Sequence, residues 1–295
     1  MEQDQEYLAR KFSEQRPRLR GVAYRMLGSL SEADDAVQDA WLRLSRADTD
    51  SVENLDAWLT TVVARVALNM LRARTTRREQ SLDDVHVPDP VIDPVDGADP
   101  EHEAMLADSV GLAMLVVLET LSPAERLAFV LHDMFAVPFE DIAPIVERSP
   151  EAARQLASRA RRRVQAAPVP DPDLSAQWEV VDAFLAAARE GDFDALVAVL
   201  DPDIELRADG GAVTGLSHHI RGAETVASQA VLWSRVAGLT ARRALVNGAA
   251  GAVSMRDGKP FSVAALTIRN GKIVEMDFLV DPERIARLDL TVLGE

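Results

Sequence analysis

The chain has 295 residues, 47% hydrophobic and 27% charged, with 15 Gly, 15 Pro and no Cys. That is a two-domain length at about 100–200 residues per domain, with an apolar fraction that excludes wholesale disorder and no run near the roughly 18–20 apolar residues of a membrane helix. The start, MEQDQEYLARKFSEQ, lacks the basic then apolar pattern of a signal peptide. The missing cysteine removes a disulfide scaffold, a thiol nucleophile and a Cys-ligated zinc, so a soluble cytoplasmic protein is expected.

Net charge is −16, from 32 basic and 48 acidic residues. Taken alone that argues against a nucleic-acid binder, but the distribution reverses the argument. Residues 1–80 hold 13 basic and 13 acidic side chains, 81–110 hold 9 acidic and no basic, 111–166 balance 7 against 7, and 167–295 carry 12 basic and 19 acidic. Two stretches are purely basic: 57–78, with Arg65, Arg72, Arg74, Arg77 and Arg78, and 154–163, with Arg154, Arg159, Arg161, Arg162 and Arg163. A phosphate backbone meets local fields, not net charge.

In chain order, Leu19, Val22, Ala23, Met26 and Leu27 repeat at helical spacing, and Gly28-Ser29-Leu30-Ser31 ends that segment. Ser31 is read as the next N-cap, with Glu32, Asp34 and Asp35 in the first turn, where acids suit the helix dipole. That helix runs through Val37, Ala40, Trp41 and Leu44, and a third starts near Leu55 and ends in the arginine cluster. Residues 81–103 place Pro88, Pro90, Pro94 and Pro100 among acids, the composition of an extended linker. Helix returns over 105–121. Ser122-Pro123-Ala124-Glu125 reads as a capping box with Pro at the first helical position, and 139–146 as a short helix followed by another from Ser149-Pro150-Glu151 to about Gln165. A Pro-rich joint at 167–172 precedes amphipathic helices at 176–189 and 220–236. Strand-like runs follow at 241–246, 250–255, 261–268 and 273–279, with hairpin turns at 256–259 and at Asn270-Gly271.

The pair of short helices at 139–163 reads as a helix-turn-helix, with Ala152, Ala153, Leu156 and Ala160 inward. Its second helix would present Glu151, Arg154, Gln155 and Ser158 to base edges in the major groove and its later arginines to phosphates. A solvated basic face on a helical hairpin fits the same spacing. For the 57–78 helix, terminal arginines as ordinary capping chemistry and as phosphate contacts stand level. Tyr24, Trp41 and Trp58 lie on apolar faces and are read as core rather than as stacking platforms for bases.

Together, YRMLGSLSEADDAVQDAWLRL, AWLTTVVARVALNMLRAR and LSPAERLAFVLHDMFAVPFEDIAPIVERSPEAARQLASRARRRV resemble the extracytoplasmic-function (ECF) bacterial sigma factors over residues 7–164. The resemblance implies that 31–44 docks on the clamp helices of the RNA polymerase β′ subunit, through Asp34, Asp35, Gln38, Asp39, Trp41 and Leu42. It implies that loop 47–56 takes a flipped base of the minus-ten element, at a cost of a few kcal/mol returned by a pocket and phosphate contacts. The 57–78 helix would contact that element's backbone, with Arg65, Asn69 and Arg72 foremost and Arg74, Arg77 and Arg78 beyond them. The helix-turn-helix would read the minus-thirty-five element through Arg154, Gln155, Ser158, Arg159 and Arg162.

The last 120 or so residues resemble a SnoaL-like domain, the cone-shaped fold of NTF2, carried by a subgroup of these sigma factors. Asp209-Gly210-Gly211-Ala212 stands for the subgroup's Asp-Gly-Gly-Gly motif and Asp281-Pro282-Glu283-Arg284-Ile285 for its Asn-Pro-Asp-Lys-Leu motif. His86-Val87-Pro88-Asp89-Pro90 stands for a Trp-Leu-Pro-Glu-Pro linker motif but lacks the Trp, which weakens the case for a linker clamp of the family kind. Enzyme relatives of such cones use an Asp or His base, and Asp209, His218, His219 and Arg221 are the polar candidates. Asp209 before two glycines also has a plain turn role, and adjacent histidines face different ways on any regular element, so no metal pair is read. The expected regulatory contacts are Asp209, Gly210, Gly211, Asp281, Pro282, Glu283 and Arg284, packing on the sigma part.

The fold expected is multidomain: an all-α three- to four-helix region two at 1–80, an acidic linker at 81–103, a helix-turn-helix region four at 104–166, a short linker at 167–174, and an α+β NTF2/SnoaL-like cone at 175–295. The partners expected are core RNA polymerase and promoter DNA, with no membrane, metal or cofactor, no catalytic residue, and a small ligand in the cone left open. Two other classes fit parts of the chain: a small-molecule isomerase or hydrolase regulated by its helices, and a helix-turn-helix regulator that binds DNA alone.

Overall fold

The computed structural model describes residues 2–46, 54–78, 85–95, 97, 111–213 and 215–291. The chain divides into two compact units. One is helical and comprises Met1–Leu82, Glu103–Asp108 and Val117–Ala166; the other comprises Asp83–His102, Ser109–Val116 and Ala167–Glu295.

In the helical unit, α1 (Glu2–Leu27) packs on α2 (Leu30–Leu44) and α3 (Leu55–Arg78). Leu19, Val22, Met26 and Leu27 of α1, Ala33, Val37 and Ala40 of α2, and Leu59, Val63 and Leu68 of α3 are buried at i, i+3, i+4 spacing. Tyr24 is in this core, 1% exposed. Ser29, not Ser31, caps α2: its extended backbone and side-chain bond from Glu32 N start the helix at Leu30, two residues earlier than expected. Of the helix expected over 105–121, α4 (Leu112–Glu119) is seen, its residues from Val117 on belonging to this unit and those before to the second, and 105–110 lie outside the described residues. Ser122 and Glu125 form the reciprocal capping box of α5 (Pro123–Phe129), which continues as a π-helical turn at Val130–Met134. α6 (Phe139–Val146) ends on Glu147 at φ 57°, and Ser149 caps α7 (Pro150–Val164) with Pro150 in its first turn.

This unit is tied internally by arginines. Arg126, 2% exposed, donates from Nε to Arg25 O (2.9 Å) and from Nη1 to Glu119 (2.8 Å). Arg25 and Arg18 lie 5.1 and 5.7 Å from the Phe135 ring centroid.

The second unit is α+β. α8 (Leu174–Glu190) and α9 (Phe193–Val199) lead into β2 (Leu200–Asp209), β3 (His218–Arg221), α10 (Ala223–Ala237), β4 (Thr240–Val246), β5 (Ala249–Arg256), β6 (Lys259–Arg269), β7 (Lys272–Leu279) and α11 (Pro282–Ile285). The linker supplies β1 (Ile92–Asp93), and the sheet order is β1-β4-β5-β6-β7-β2-β3. All pairs are antiparallel except β2 with β7. The last four strands fall within two residues of the expected runs. The sequence reading missed β1, β2, β3 and α9, and it assigned 220–236 to a helix although Ile220 and Arg221 close β3. β2 hides because LDPDIELRAD reads as polar, yet Ile204, Leu206 and Ala208 face one way and Glu205, Arg207 and Asp209 the other. The core lies between the first of those faces and α8, α9 and α10, around Val181, Phe184, Leu196, Leu206, Val226 and Met276.

Candidate functional site

Three exposed rows mark the helical unit. On α2, Asp35, Gln38 and Leu42 are exposed at i, i+3, i+7, with Leu42 at 43%. The other three residues expected there are engaged within the unit: Asp34 takes a fork from Arg20 (2.9 and 3.2 Å), Asp39 pairs with Arg43 (2.9 Å), and Trp41 leans on Phe12 with ring centroids 5.1 Å apart.

On α3, Arg65, Asn69 and Arg72 are exposed at i, i+4, i+7, the spacing of one helix face. Arg72 stands 3.9 Å from Glu147. Arg74 is placed differently from expectation: its guanidinium donates to Leu27 O at 2.9 Å, pairs with Glu32, and lies 3.9 Å from Glu119. Those partners commit it to the fold of the unit, where it joins α3 to the end of α1. The side chains of Arg77 and Arg78, and residues 47–53 of the flipped-base loop, lie outside the described residues. Asn54, at the edge of that loop, accepts from Ala57 N at 3.1 Å and fixes the start of α3.

On α7, Ala153, Ala157, Ala160 and Val164 are buried, which turns Glu151, Arg154, Gln155, Ser158, Arg159 and Arg162 outward as one exposed face. Arg154 lies over the Phe139 ring, 5.2 Å from its centroid, which limits its rotamers. Arg161 is bound to Asp133 on the inner edge (2.7 Å).

The α+β unit holds the linker, and the grip centres on Asp209 at the end of β2. Its Oδ2 accepts from Val87 N (2.9 Å) and Arg284 Nη1 (2.7 Å) and lies 3.2 Å from His86 Nδ1, while Oδ1 accepts from Gly211 N (2.9 Å). Arg284 completes the clamp with Nε to Asp89 Oδ1 (2.7 Å) and Nη2 to Val87 O (2.6 Å). Asp281 caps α11 by accepting from Glu283 N and Arg284 N, which aims that arginine, and Pro282 fills the first turn. Gly211 sits at φ 58°, where an added Cβ would strike Asp281, and a Cβ at Gly210 would strike Leu216. Farther along, Asn247 accepts from Val91 N (3.1 Å) and donates its own N–H to Val91 O (2.8 Å), and Ile92 and Asp93 pair with Val246 and Leu245. Residues 87–93 are buried. The linker motif therefore docks without the family tryptophan, and of the seven residues expected as regulatory contacts Asp209 and Arg284 bond this segment while Asp281 positions Arg284.

Burial alone would push the Asp209 carboxyl up. The bonds from His86, Val87 and Gly211 and the Arg284 charge outweigh burial and hold it far below the ordinary aspartate value. Beside it on the same sheet face, Arg207 is opposite Asp277 in register (2.6 Å), with Glu275 at 2.9 Å and Glu205 at 3.2 Å. Burial raises both Asp277 and Glu275, the latter to about 7, against the pull of the single guanidinium. His219 faces this cluster, 3.4 Å from Glu205.

The opposite sheet face, with α8 and α10, lines a cavity of about 720 Å³. His218 lines it, so the two histidines part to opposite faces as strand alternation requires. Sequence reasoning singled out neither His86 and Asp89 as ligands of the clamp nor Asn247 as the linker's edge partner.

Comparison with known proteins agrees with this layout. The family model for Sigma-70 region 2 matches residues 12–77 and that for Sigma-70, region 4 matches 112–164. The "ECF RNA polymerase sigma factor SigJ" of Mycobacterium tuberculosis (strain ATCC 25618 / H37Rv) is 38% identical, over 93% of this chain and 92% of that protein. The "Probable ECF RNA polymerase sigma factor SigI" of Mycobacterium tuberculosis (strain CDC 1551 / Oshkosh) is 35% identical, over 90% of each. The crystal structure of Mycobacterium tuberculosis SigJ superposes with a TM-score of 0.75 at 35% identity, covering 96% of this chain and 99% of that one. Helical sigma regions followed by a SnoaL-like α+β cone, matched along nearly the whole length of these relatives, place the chain in the family of ECF RNA polymerase sigma factors.

Proposed function

We propose that this sigma factor joins core RNA polymerase through the α2 row, with the β′ clamp helices as its seat, and reads promoter DNA with two helices. Arg65, Asn69 and Arg72 on α3 meet the minus-ten element, and Arg154, Gln155 and Ser158 on α7 meet minus-thirty-five base edges while Arg159 and Arg162 hold phosphates. The SnoaL-like cone modulates this activity in cis through Asp209, Gly210, Gly211, Asp281, Pro282, Glu283 and Arg284. The work is differential binding, so no catalytic residue is assigned.

The observation that carries the regulatory part is the clamp. The segment joining the two DNA-reading regions is bonded by Asp209, Arg284 and Asn247 of the cone. A tether held at 86–93 leaves fewer free residues to separate those regions, and releasing it widens the set of separations available. Docked and released states then differ in fitness for promoter spacing, and whatever binds one state better shifts activity.

The test is run-off transcription with core polymerase, comparing the wild-type chain with Arg284→Met. The expected result is transcription from the same promoter at a changed level. A new promoter preference, or an unchanged level, overturns the regulatory reading.

A further inference from the structure

We infer that the cone's cavity is a sensor site for a neutral, largely apolar small molecule, and that its occupant tightens the linker clamp through their shared wall. This rests on the reading that the cone acts through the linker.

The chemistry of the cavity selects the ligand class. Its volume of about 720 Å³ falls within the roughly 300–1,000 Å³ of small-molecule sites. Leu206, Leu266, Met276, Phe278 and Val226 form its interior, and Trp233 and Phe261 stack in a tilted pair with ring centroids 6.4 Å apart. Room for roughly two dozen waters at about 30 Å³ each is lined mostly by carbon, so water there finds few partners and an apolar occupant displaces it favourably. The polar handles are uncharged or weakly basic: Gln229, Thr240, the cross-strand pair Ser254 and Ser262, and His218, while Arg189 joins the lining from an exposed position on α8. The carboxylate of Asp182 is spent on Arg243 (2.7 Å), so these two present a neutral pair. Strand alternation turns Glu205, Arg207, Glu275 and Asp277 to the other face of β2 and β7. The Arg189 guanidinium of the lining is exposed to water, so an ionised ligand drawn into the interior would lose its hydration with no buried counter-charge there to replace it.

The route to the clamp is covalent and short. Leu206 and Ala208 line the cavity, and the next residue, Asp209, holds the linker. Leu216 lines the cavity and packs so closely on Gly210 that no side chain fits there, while Ser217 Oγ accepts from Gly210 N (3.0 Å). Val280 lines the cavity and donates its N–H to Asp209 O at 2.7 Å. An occupant packed on Ala208, Leu216 and Val280 holds the Asp209 carboxylate in its docked position. By linkage, a docked linker raises the occupant's affinity by the factor with which the occupant favours docking.

The test uses the full-length chain and N-phenyl-1-naphthylamine, a neutral aromatic probe that fluoresces in apolar surroundings. Saturable enhancement is expected, lost on filling the cavity with Ala264→Phe on β6 or, in case that variant fails to fold, with Ala230→Arg on α10. Saturating probe slows amide hydrogen exchange of the 85–93 peptide at least fivefold, and Arg284→Met weakens probe affinity by a matching factor. Absent saturable binding, or binding that survives both cavity variants, overturns the site. Saturable binding with unchanged exchange and affinity overturns the coupling. If Arg284→Met alters run-off while the probe result fails, this inference alone falls. If the probe slows linker exchange while Arg284→Met leaves run-off unchanged, the functional reading alone falls.

Discussion

Arg284→Met is the sharpest perturbation of the clamp. The guanidinium is 17% exposed and serves Asp209 (5%), Asp89 (10%) and the Val87 carbonyl. Methionine keeps the length of the stem and removes the charge, leaving two buried carboxylates without their shared cation. Breaking one partner of a buried ion pair costs about 3–5 kcal/mol. Asp209 retains bonds from His86, Val87 and Gly211, so the lower end applies: about 3 kcal/mol against the docked linker, or roughly a hundredfold in the docked-to-released ratio. Hydrogen exchange at Val87 and Val91 in the full chain reads this directly, because both amides donate to side chains of the cone. Adding Asp89→Asn to Arg284→Met removes one stranded charge and should recover part of the loss, a coupling that a double-mutant cycle measures. Exchange within twofold of wild type in the single variant, or no recovery in the double variant, would show that Arg284 does not hold the linker.

Other expectations follow from the same geometry. Arg154→Ala should cost about 1–3 kcal/mol of promoter binding and relax preference at one base pair. Arg162→Ala should weaken binding evenly across sequences and flatten the salt dependence, both read by holoenzyme binding to single-base promoter variants over a salt series. Gly210→Ala should cost about 1–3 kcal/mol by overpacking against Leu216, seen as a lower melting temperature and faster linker exchange. Two pH effects of opposite sign are expected in urea titrations. Asp209, with its folded pKa depressed, adds stability that is complete above the ordinary aspartate value near 3.8 and is lost as pH falls below it. Glu275, raised to about 7 from 4.5, keeps its proton when folded, so stability is greatest below 4.5 and declines as pH rises to about 7, where it levels off. Glu275→Gln should remove that decline.

Much of the helical unit is legible because its signals are local. The capping box at Ser122 and Glu125, the Ser149-Pro150 start of α7 and the alanine stripe Ala153, Ala157 and Ala160 each act within a few residues. That stripe alone fixes the outward face carrying Arg154, Gln155 and Ser158. β4 to β7 are legible for the same reason, with tight turns between period-two runs. The linker clamp is not local. Asp209 lies 122 residues from Val87, and Asn247 lies 156 from Val91, so nothing in the spacing of either partner announces the other. Composition misleads there as well. Prolines and acids mark 81–103 as a tether, yet Asp89 becomes the ligand of a half-buried arginine and Ile92-Asp93 an edge strand. β2 hides for a related reason: Asp277 is buried and Arg207 and Glu275 are half-buried by pairing across strands, and a polar residue withdrawn from water by pairing looks like a surface residue in sequence. Arg74 shows the converse, an arginine in a basic cluster whose partners lie in α1, at the start of α2 and at the end of α4.

We expect this chain to read a promoter only as part of the transcription machine. Purified full-length chain, mixed with bacterial core polymerase at moderate salt, should co-elute with it and yield one promoter-specific run-off transcript from a genomic fragment library, with no transcript from either component alone. Failure to associate with core, or sequence-specific retention of the same fragments by the chain without core, would show that it does not act as a polymerase subunit.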